Sequence, residues 1–201
     1  MHIGVDFDNT IVSYDGVFHR VAVARGLVLP DVGSTKQDVR NDLLWREQDD
    51  VWTELQGYVY GVAIVDARPF SGVLDFFSRC RMRNIDVCII SHKTRVPVVG
   101  EQFDLHQSAW NWLNTHGFLG ASRSGLSEGH IHFEETKQRK LGRIAEVGCT
   151  HFIDDLPEFL SAAQFPLDVK RILFDPHGRH QQPGVCRAGS WKEISDILGL
   201  G

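Results

Sequence analysis

The sequence lacks long hydrophobic segments, because none of its apolar runs approaches the ~18 residues that a membrane-spanning helix requires. Its N-terminus also lacks a basic segment followed by an apolar one, so we expect no secretory signal peptide. From these two absences we expect no membrane partner, and the unpaired cysteines add the expectation of a cytoplasmic protein.

Cysteine is scarce, and basic charge is not in excess. The four cysteines lie far apart without a C-x-x-C pair, so we expect reduced, mostly buried thiols rather than a disulfide framework or a zinc site. The net charge of -5 provides no basic surface for nucleic acid, so no such partner is expected. Internal repeats and low-complexity segments are also missing, which argues against a solenoid.

What remains is the composition of an ordinary globular protein, with 201 residues of which 42% are hydrophobic and 23% charged. Short β-branched segments alternate with amphipathic segments of helical periodicity. This alternation predicts an α/β fold, a three-layer αβα sandwich around a mainly parallel, five-stranded Rossmann-like sheet. The predicted strands cover residues 3–7, 85–90, 130–133, 150–153 and 170–174.

Residues 13–68 interrupt the alternation, because they contain helical patterns but no strong strand. A first helix would end near Gly26, Ser34 or Thr35 could cap a second, and a third would begin near Asp50. We therefore predict a small α-helical insertion at 13–68 and a core built from residues 1–12 and 69–201.

Acidic and hydroxyl side chains follow three of the predicted strands. Asp6 and Asp8 come after the first strand, Ser91 after the second, and Asp154 with Asp155 after the fourth. The carboxyl ends of parallel strands lie at one edge of a sheet, where ligands bind, so we expect these side chains to converge. Carboxylates in such a group cannot all ionise without a counter-charge.

This chemistry suits phosphoryl transfer. Hard carboxylate oxygens in small number are typical ligands of Mg²⁺, which also takes a phosphate oxygen. One carboxylate can attack phosphorus as a nucleophile, and a second can move protons. Nearby hydroxyl and ammonium groups would stabilise the transferring phosphoryl oxygens.

The residues VDFDNT at positions 5–10 resemble the first motif, D-x-D-x-T, of the haloacid dehalogenase-like (HAD) phosphohydrolase superfamily. Ser91 matches the second motif, Lys140 the third, and Asp154 with Asp155 the acidic fourth. One motif alone is weak evidence, but four in order, each at a strand end or leading into a strand, are strong evidence.

The resemblance covers residues 1–12 and roughly 69–198, and it implies a Mg²⁺-dependent phosphatase acting on a small phosphorylated metabolite through an aspartyl-phosphate. It implies that Asp6 is the nucleophile and a metal ligand. Asp8 would be the general acid/base and would reach the metal through its backbone carbonyl. Asp154 would bind the metal, and Asp155 would help directly or through water.

The resemblance also implies a set of residues that bind the substrate phosphoryl group. Ser91 would donate a hydrogen bond to a phosphoryl oxygen, assisted by the backbone of His92, and Lys140 would neutralise the phosphoryl group and Asp6. Phe7 and Thr10, inside the first motif, complete this set.

The insertion at 13–68 lies where the superfamily places its cap, which implies that it closes over the site and selects the substrate. The polar side chains available for selection are not ranked by the sequence; they are Lys36, Arg40, Arg46, Tyr58 and Tyr60.

Several alternatives stay open at this stage. Lys137 or Lys93 could replace Lys140, Ser91 could be a simple helix cap, and Asp155 could cap the helix that begins at Pro157. The same scaffold could carry a phosphotransferase or mutase, or a regulatory module that binds a phosphoryl ligand with little turnover. The sequence does not indicate the oligomeric state.

Overall fold

The computed structural model describes residues 1–120, 124–180 and 184–201. No helix in these ranges is both long enough and apolar enough to cross a bilayer. The strands are β1 (His2–Val5), β2 (Val12–Ser13), β3 (Arg68–Pro69), β4 (Asp86–His92), β5 (Ile131–Glu134), β6 (His151–Asp154), β7 (Lys170–Phe174) and β8 (Cys186–Ala188). The helices are α1 (Val17–Ala24), α2 (Lys36–Trp45), α3 (Asp49–Gly61), α4 (Val73–Met82), α5 (Leu105–Thr115), α6 (Lys137–Glu146), α7 (Pro157–Leu160) and α8 (Trp191–Ile197).

The main sheet, within the described part of the chain, has six strands in the order β5-β4-β1-β6-β7-β8, and β2 pairs with β3 separately. Neighbouring strands of the main sheet run parallel. The predicted α/β class is confirmed, but the predicted count of five strands is wrong. The extra strand is β8, an edge strand in which only Ala188 is buried, so its three residues carry no apolar pattern.

Tertiary contacts divide the chain into two compact units. The first unit comprises Met1–Val12, Pro69–His92 and His116–Gly201, and it contains the whole main sheet. The second unit comprises Ser13–Arg68 together with Lys93–Thr115.

Helices cover both faces of the sheet in the first unit. Phe174 and its neighbour Leu173 point to opposite faces, because side chains alternate along a strand. Phe174 packs on Trp191 of α8, with ring centroids 5.6 Å apart. Leu173 lies in a buried cluster with Ile144 of α6 and Phe159 of α7. The first unit is therefore the predicted αβα sandwich.

Residues 93–115 belong to the second unit because two glycines of α3 let this segment pack closely against that helix. A Cβ at Gly57 would lie 2.7 Å from Pro97 Cβ, and one at Gly61 would lie 2.8 Å from Phe103 Cβ. Trp112 of α5 also donates from Nε1 to a backbone oxygen near the end of the insertion, Ala67 O, at 2.9 Å. These contacts join the segment to helices that precede it by some forty residues.

Helix α2 shows how local sequence sets one boundary in the second unit. Thr35 occupies the N-cap position, and its hydroxyl accepts from Asp38 N at 3.2 Å. The Asp38 carboxylate accepts in return from Thr35 N, also at 3.2 Å, which completes a capping box. Of the two predicted caps, Thr35 is therefore the one used.

Candidate active site

The site begins at the turn that follows β1. Asp6 N donates to Ile153 O at 2.9 Å, which ties the end of β1 to β6. The chain then turns back, since the amide groups of Ile11 and Val12 both donate to Phe7 O, at 3.0 and 3.1 Å. Asp6 lies between the end of β1 and this turn and is 5% exposed.

Buried contacts of Thr10 and Phe7 hold this turn in place. Thr10 is fully buried, its backbone oxygen accepts from Trp191 Nε1 at 3.2 Å, and its hydroxyl donates a long bond of 3.4 Å to Asp6 Oδ2. The Phe7 ring is also fully buried, and its centroid lies 5.6 Å from the centroid of the Phe133 ring. Thr10 therefore contacts the predicted nucleophile, whereas the ring of Phe7 is core packing.

Three further predicted residues meet at Asp6. Lys140 Nζ donates to Asp6 Oδ1 and to Asp154 Oδ2, each at 2.6 Å. Ser91 Oγ donates to Asp6 Oδ1 at 2.9 Å. All four side chains are buried, and three of them lie at the carboxyl ends of the adjacent strands β4, β1 and β6. Because Ser91 lies within β4, it is not a helix cap.

The structure distinguishes the three candidate lysines. Lys140 is 2% exposed and contacts both carboxylates, while Lys137, less than one turn earlier on α6, is exposed. Lys93 belongs to the second unit, where its ammonium lies 4.8 Å from the centroid of the Tyr60 ring. The lysine that meets the acidic group is therefore Lys140.

Burial and charge act against each other in this group. Burial alone would lower the pKa of Lys140, but the carboxylates of Asp154 and Asp6 outweigh it and hold that pKa above its ordinary value. Burial raises the pKa of Asp154 to about 6, although the Lys140 charge opposes this shift. The single ammonium of Lys140 thus interacts with two buried carboxylates, and an excess of negative charge remains when both carboxylates are ionised.

A set of three carboxylates could hold a metal ion. Asp6, Asp154 and Asp155 each offer one oxygen, and these oxygens lie within 4.8 Å of one another; no other such group of three occurs in the described ranges. Leu156 N donates to Asp154 Oδ1 at 2.9 Å and orients it. Hard oxygen donors, one of them on a partly exposed residue, fit Mg²⁺, which retains several waters.

The remaining predicted metal residues are placed differently. Leu156, not Asp155, occupies the N-cap position of α7, so the capping alternative for Asp155 is wrong. The carboxylate of Asp8 is not part of the three-carboxylate group. Its predicted metal contact was through the backbone carbonyl and stays a prediction.

His92 follows Ser91 at the end of β4, and its Nε2 lies 3.2 Å from Glu135 O. Burial lowers the pKa of His92, and the charge of Lys140 adds to this effect, so the ring is neutral at pH 7. A carbonyl oxygen only accepts, so Nε2 carries the proton and donates to it. The predicted contact of the His92 backbone with substrate stays a prediction.

Sequence reasoning missed Glu134, the last residue of β5. It is 7% exposed and pairs with two arginines of α6, Arg143 at 2.7 Å and Arg139 at 3.4 Å. A glutamate just before a basic helix looks like a surface charge in the sequence. The signal that could have found it is the spacing of two arginines four residues apart behind a strand-terminal acid.

No protein-family model matches the sequence, and no curated protein matches it either. Solved structures do resemble the chain along nearly its whole length. A HAD family hydrolase from Deinococcus radiodurans R1, with bound phosphate and sodium, is 16% identical and has a TM-score of 0.57; the match covers 99% of this chain and 96% of that one.

Two further structures show the same similarity. The HAD-hydrolase YfnB from Bacillus subtilis, bound to magnesium, is 14% identical with a TM-score of 0.56, covering 98% of this chain and 97% of that one. A dehalogenase with an intermediate complex is 10% identical with a TM-score of 0.60, covering 98% and 96%. The chain therefore has the fold of the HAD-superfamily hydrolases, as its four motifs predict.

Proposed function

We propose that the protein is a HAD-type, Mg²⁺-dependent phosphatase that hydrolyses a small phosphorylated metabolite through an aspartyl-phosphate on Asp6. The observation that carries this proposal is the convergence of Lys140 and Ser91 on one oxygen of Asp6. Both donors are aimed at the atom group that would attack phosphorus. The fold shared with HAD-superfamily hydrolases supports the same reaction class.

The donors around Asp6 would bind the phosphoryl group. Lys140 and Ser91 are buried and already oriented, so they need little reorganisation when negative charge develops on the phosphoryl oxygens. Asp6, Asp154 and Asp155 would hold Mg²⁺, which when bound neutralises phosphoryl charge as a Lewis acid. The same carboxylates would otherwise repel an anionic substrate.

Asp8 would move the protons. In the first step Asp6 attacks phosphorus, the bond from phosphorus to the ester oxygen breaks, and the Asp8 carboxyl gives its proton to the leaving oxygen. In the second step the Asp8 carboxylate takes a proton from water, whose oxygen attacks phosphorus. Inorganic phosphate leaves, and the Asp6 carboxylate is restored. The partly exposed position of Asp8 supports proton exchange with water between turnovers.

The second unit would select the substrate as a cap. Two of the predicted selectors already have partners. Arg46 is paired with Asp42, and the Tyr58 ring is covered by the Arg25 guanidinium, whose carbon lies 3.6 Å from the ring centroid. Tyr60 differs, because two ammonium groups approach its ring centroid: that of Lys93 at 4.8 Å and that of Lys36 at 5.5 Å. This positive charge supports a substrate with a second anionic group.

Two other reactions use the same nucleophile. A phosphotransferase or mutase would form the same aspartyl-phosphate and pass it to an alcohol rather than to water. The fold shared with a dehalogenase makes attack on carbon a second possibility. Attack on carbon needs no acid/base two residues after the nucleophile, so the presence of Asp8 favours phosphate esters.

The test is a panel of phosphorylated metabolites and para-nitrophenyl phosphate with Mg²⁺, using the wild type and Asp6→Asn. We expect phosphate release by the wild type, none by Asp6→Asn, and the same circular dichroism for both. Asp168→Asn, at an exposed aspartate, is the matched control and should keep full activity. Release at the wild-type rate by Asp6→Asn would exclude the proposed nucleophile.

The same samples separate the alternatives. A sugar or alcohol acceptor in the reaction would reveal phosphotransfer as a new phosphate ester. Chloride release from a haloacid would reveal dehalogenation. A wild type that binds phosphate but turns over no substrate would indicate a regulatory module.

A further inference from the structure

Glu134 is a buried carboxylate whose partners lie on a single helix. Its Oε1 accepts from Arg143 Nε at 2.7 Å, and its Oε2 accepts from Arg139 Nε at 3.4 Å. Burial by itself would raise the pKa of Glu134, but the hydrogen bonds and charges of the two arginines outweigh it and lower that pKa. Glu134 is therefore ionised at neutral pH and fully engaged with α6.

The two arginines fix how α6 is rotated about its own axis. Arg139 and Arg143 are four residues apart, so they share one side of the helix. Lys140 follows Arg139 directly and is turned about 100° around the axis from it. Glu134 holds the side of α6 that carries both arginines against the end of β5. Because Lys140 has a fixed angular relation to that side, the direction of its side chain follows.

The apolar packing and the N-cap of α6 are contacts of a different kind. Ile144 packs in the apolar cluster beneath the helix, but an aliphatic contact is not directional. Thr136 caps the helix by accepting from Arg139 N at 3.1 Å, which sets where α6 begins. Ion pairs through guanidinium nitrogens are directional, so Glu134 adds a constraint that these contacts do not supply.

Glu134 is also tied to the strand that carries Ser91. In the parallel register, Glu134 pairs with His92, the residue after Ser91 in β4. The sheet therefore holds Glu134 in a constant relation to Ser91, while Glu134 holds α6. This makes it a link between two groups that contact Asp6.

We propose that Glu134 is a positioning residue, which sets the rotation of α6 so that Lys140 Nζ reaches Asp6 and Asp154 together. Lysine has a long, flexible side chain, and ordering it toward two oxygens requires a well-placed Cα. A misplacement of about 1 Å at a catalytic group can cost about 100-fold in rate. The effect on rate rests on the proposed function, but the placement of Lys140 does not.

The first measurement needs no activity. In protein with ¹⁵N-labelled lysine, the Lys140 ammonium should give a slowly exchanging Nζ–H signal, because it is buried and bonded to two carboxylates. The Lys140→Met variant assigns this signal by its loss. We expect Glu134→Gln to shift or remove it.

The matched control is Asp175→Asn. Asp175 is 4% exposed and pairs with Arg187 at 3.3 Å, but this ion-pair partner lies on β8 rather than on α6. We expect Asp175→Asn to leave the Lys140 signal unchanged, even if both variants lose stability in thermal melts. If Glu134→Gln fails to fold, Arg143→Gln removes the shorter ion pair and should shift the same signal.

The second measurement is a double-mutant cycle on kcat/KM. We expect Glu134→Gln to lower kcat/KM about 10- to 100-fold in the wild type and less than about twofold in the Lys140→Met background, because its effect passes through Lys140. An equal loss in both backgrounds, or an unchanged Lys140 signal in Glu134→Gln, would overturn the proposal. An inactive wild type would defeat the proposed function, and the ammonium signal would still decide the role of Glu134.

Discussion

Lys140 Nζ lies 2.6 Å from Asp154 Oδ2, and this ion pair joins α6 to the end of β6 with side-chain exposures of 3% and 0%. Removing both charges from water is costly, and the attraction between them offsets that cost only with close geometry and further hydrogen bonds. The same ammonium meets Asp6 at an equal distance. Its charge is therefore divided between two carboxylates, and a divalent cation held by these two and Asp155 would complete the balance.

Replacing Lys140 with methionine should be strongly destabilising. Methionine has a similar length, so the main change is the loss of the ammonium between two buried carboxylates. Breaking a buried pair in this way costs about 3–5 kcal/mol. We expect that loss in the free energy of unfolding measured with urea at neutral pH without metal, together with a lowered but measurable kcat/KM for phosphate release.

The matched control for this change is Lys137→Met. Lys137 lies on the same helix but is exposed, so its replacement should alter neither stability nor activity appreciably. Mg²⁺ should restore part of the stability of Lys140→Met, because a cation between the carboxylates replaces the missing charge. Equal stability of the two variants would contradict the role given to Lys140.

The affinity for Mg²⁺ should depend on pH through Asp154. Burial raises the pKa of this carboxyl to about 6, so below that pH the proton competes with the metal. The apparent affinity should fall about tenfold for each pH unit below about 6 and be nearly constant above it. Calorimetric titrations of Mg²⁺ across this range test the prediction, and an affinity independent of pH would refute it.

Asp8→Asn should matter most for poor leaving groups. An alkoxide needs a proton as it leaves, whereas an acidic phenol such as para-nitrophenol leaves without one. We expect the formation of the aspartyl-phosphate to slow by about 10²- to 10⁴-fold with an alkyl phosphate and much less with para-nitrophenyl phosphate. Rapid-quench measurement of the first step with both substrates gives the comparison, and equal losses would argue against Asp8 as the acid.

Gly4→Ala should destabilise the first unit. A Cβ at this position would lie 2.5 Å from Phe152 Cδ2 and 2.9 Å from Cys149 Sγ, so buried neighbours would have to move. Overpacking of this kind costs about 1–3 kcal/mol. Gly142→Ala, at an exposed position of α6, is the control: its Cβ would meet nothing within 4 Å, so the substitution should stabilise the protein by about 0.5–1 kcal/mol. Urea unfolding of both variants would show opposite signs.

Most elements of the fold could be predicted because their signals are local. The strand before Asp6 and the helix after Thr136 are marked by short apolar runs and capping residues. The Thr35–Asp38 capping box is likewise contained within four residues. The edge strand β8 was not predicted, because only one of its three residues is buried. Its pairing with β7 defines it, and its own sequence has no apolar alternation.

The sequence by itself determined which residues stand at strand ends and in what order: Asp6, Ser91 and Asp154 are marked by their positions relative to short periodic patterns. Only the tertiary structure decided that Lys140 rather than Lys137 enters the site, and that Glu134 holds its helix. Asp6 and Lys140 are 134 residues apart, and contacts over such separations depend on how sheet and helices pack. Local patterns specify the elements, whereas burial and ion pairing between distant elements select the side chains that meet.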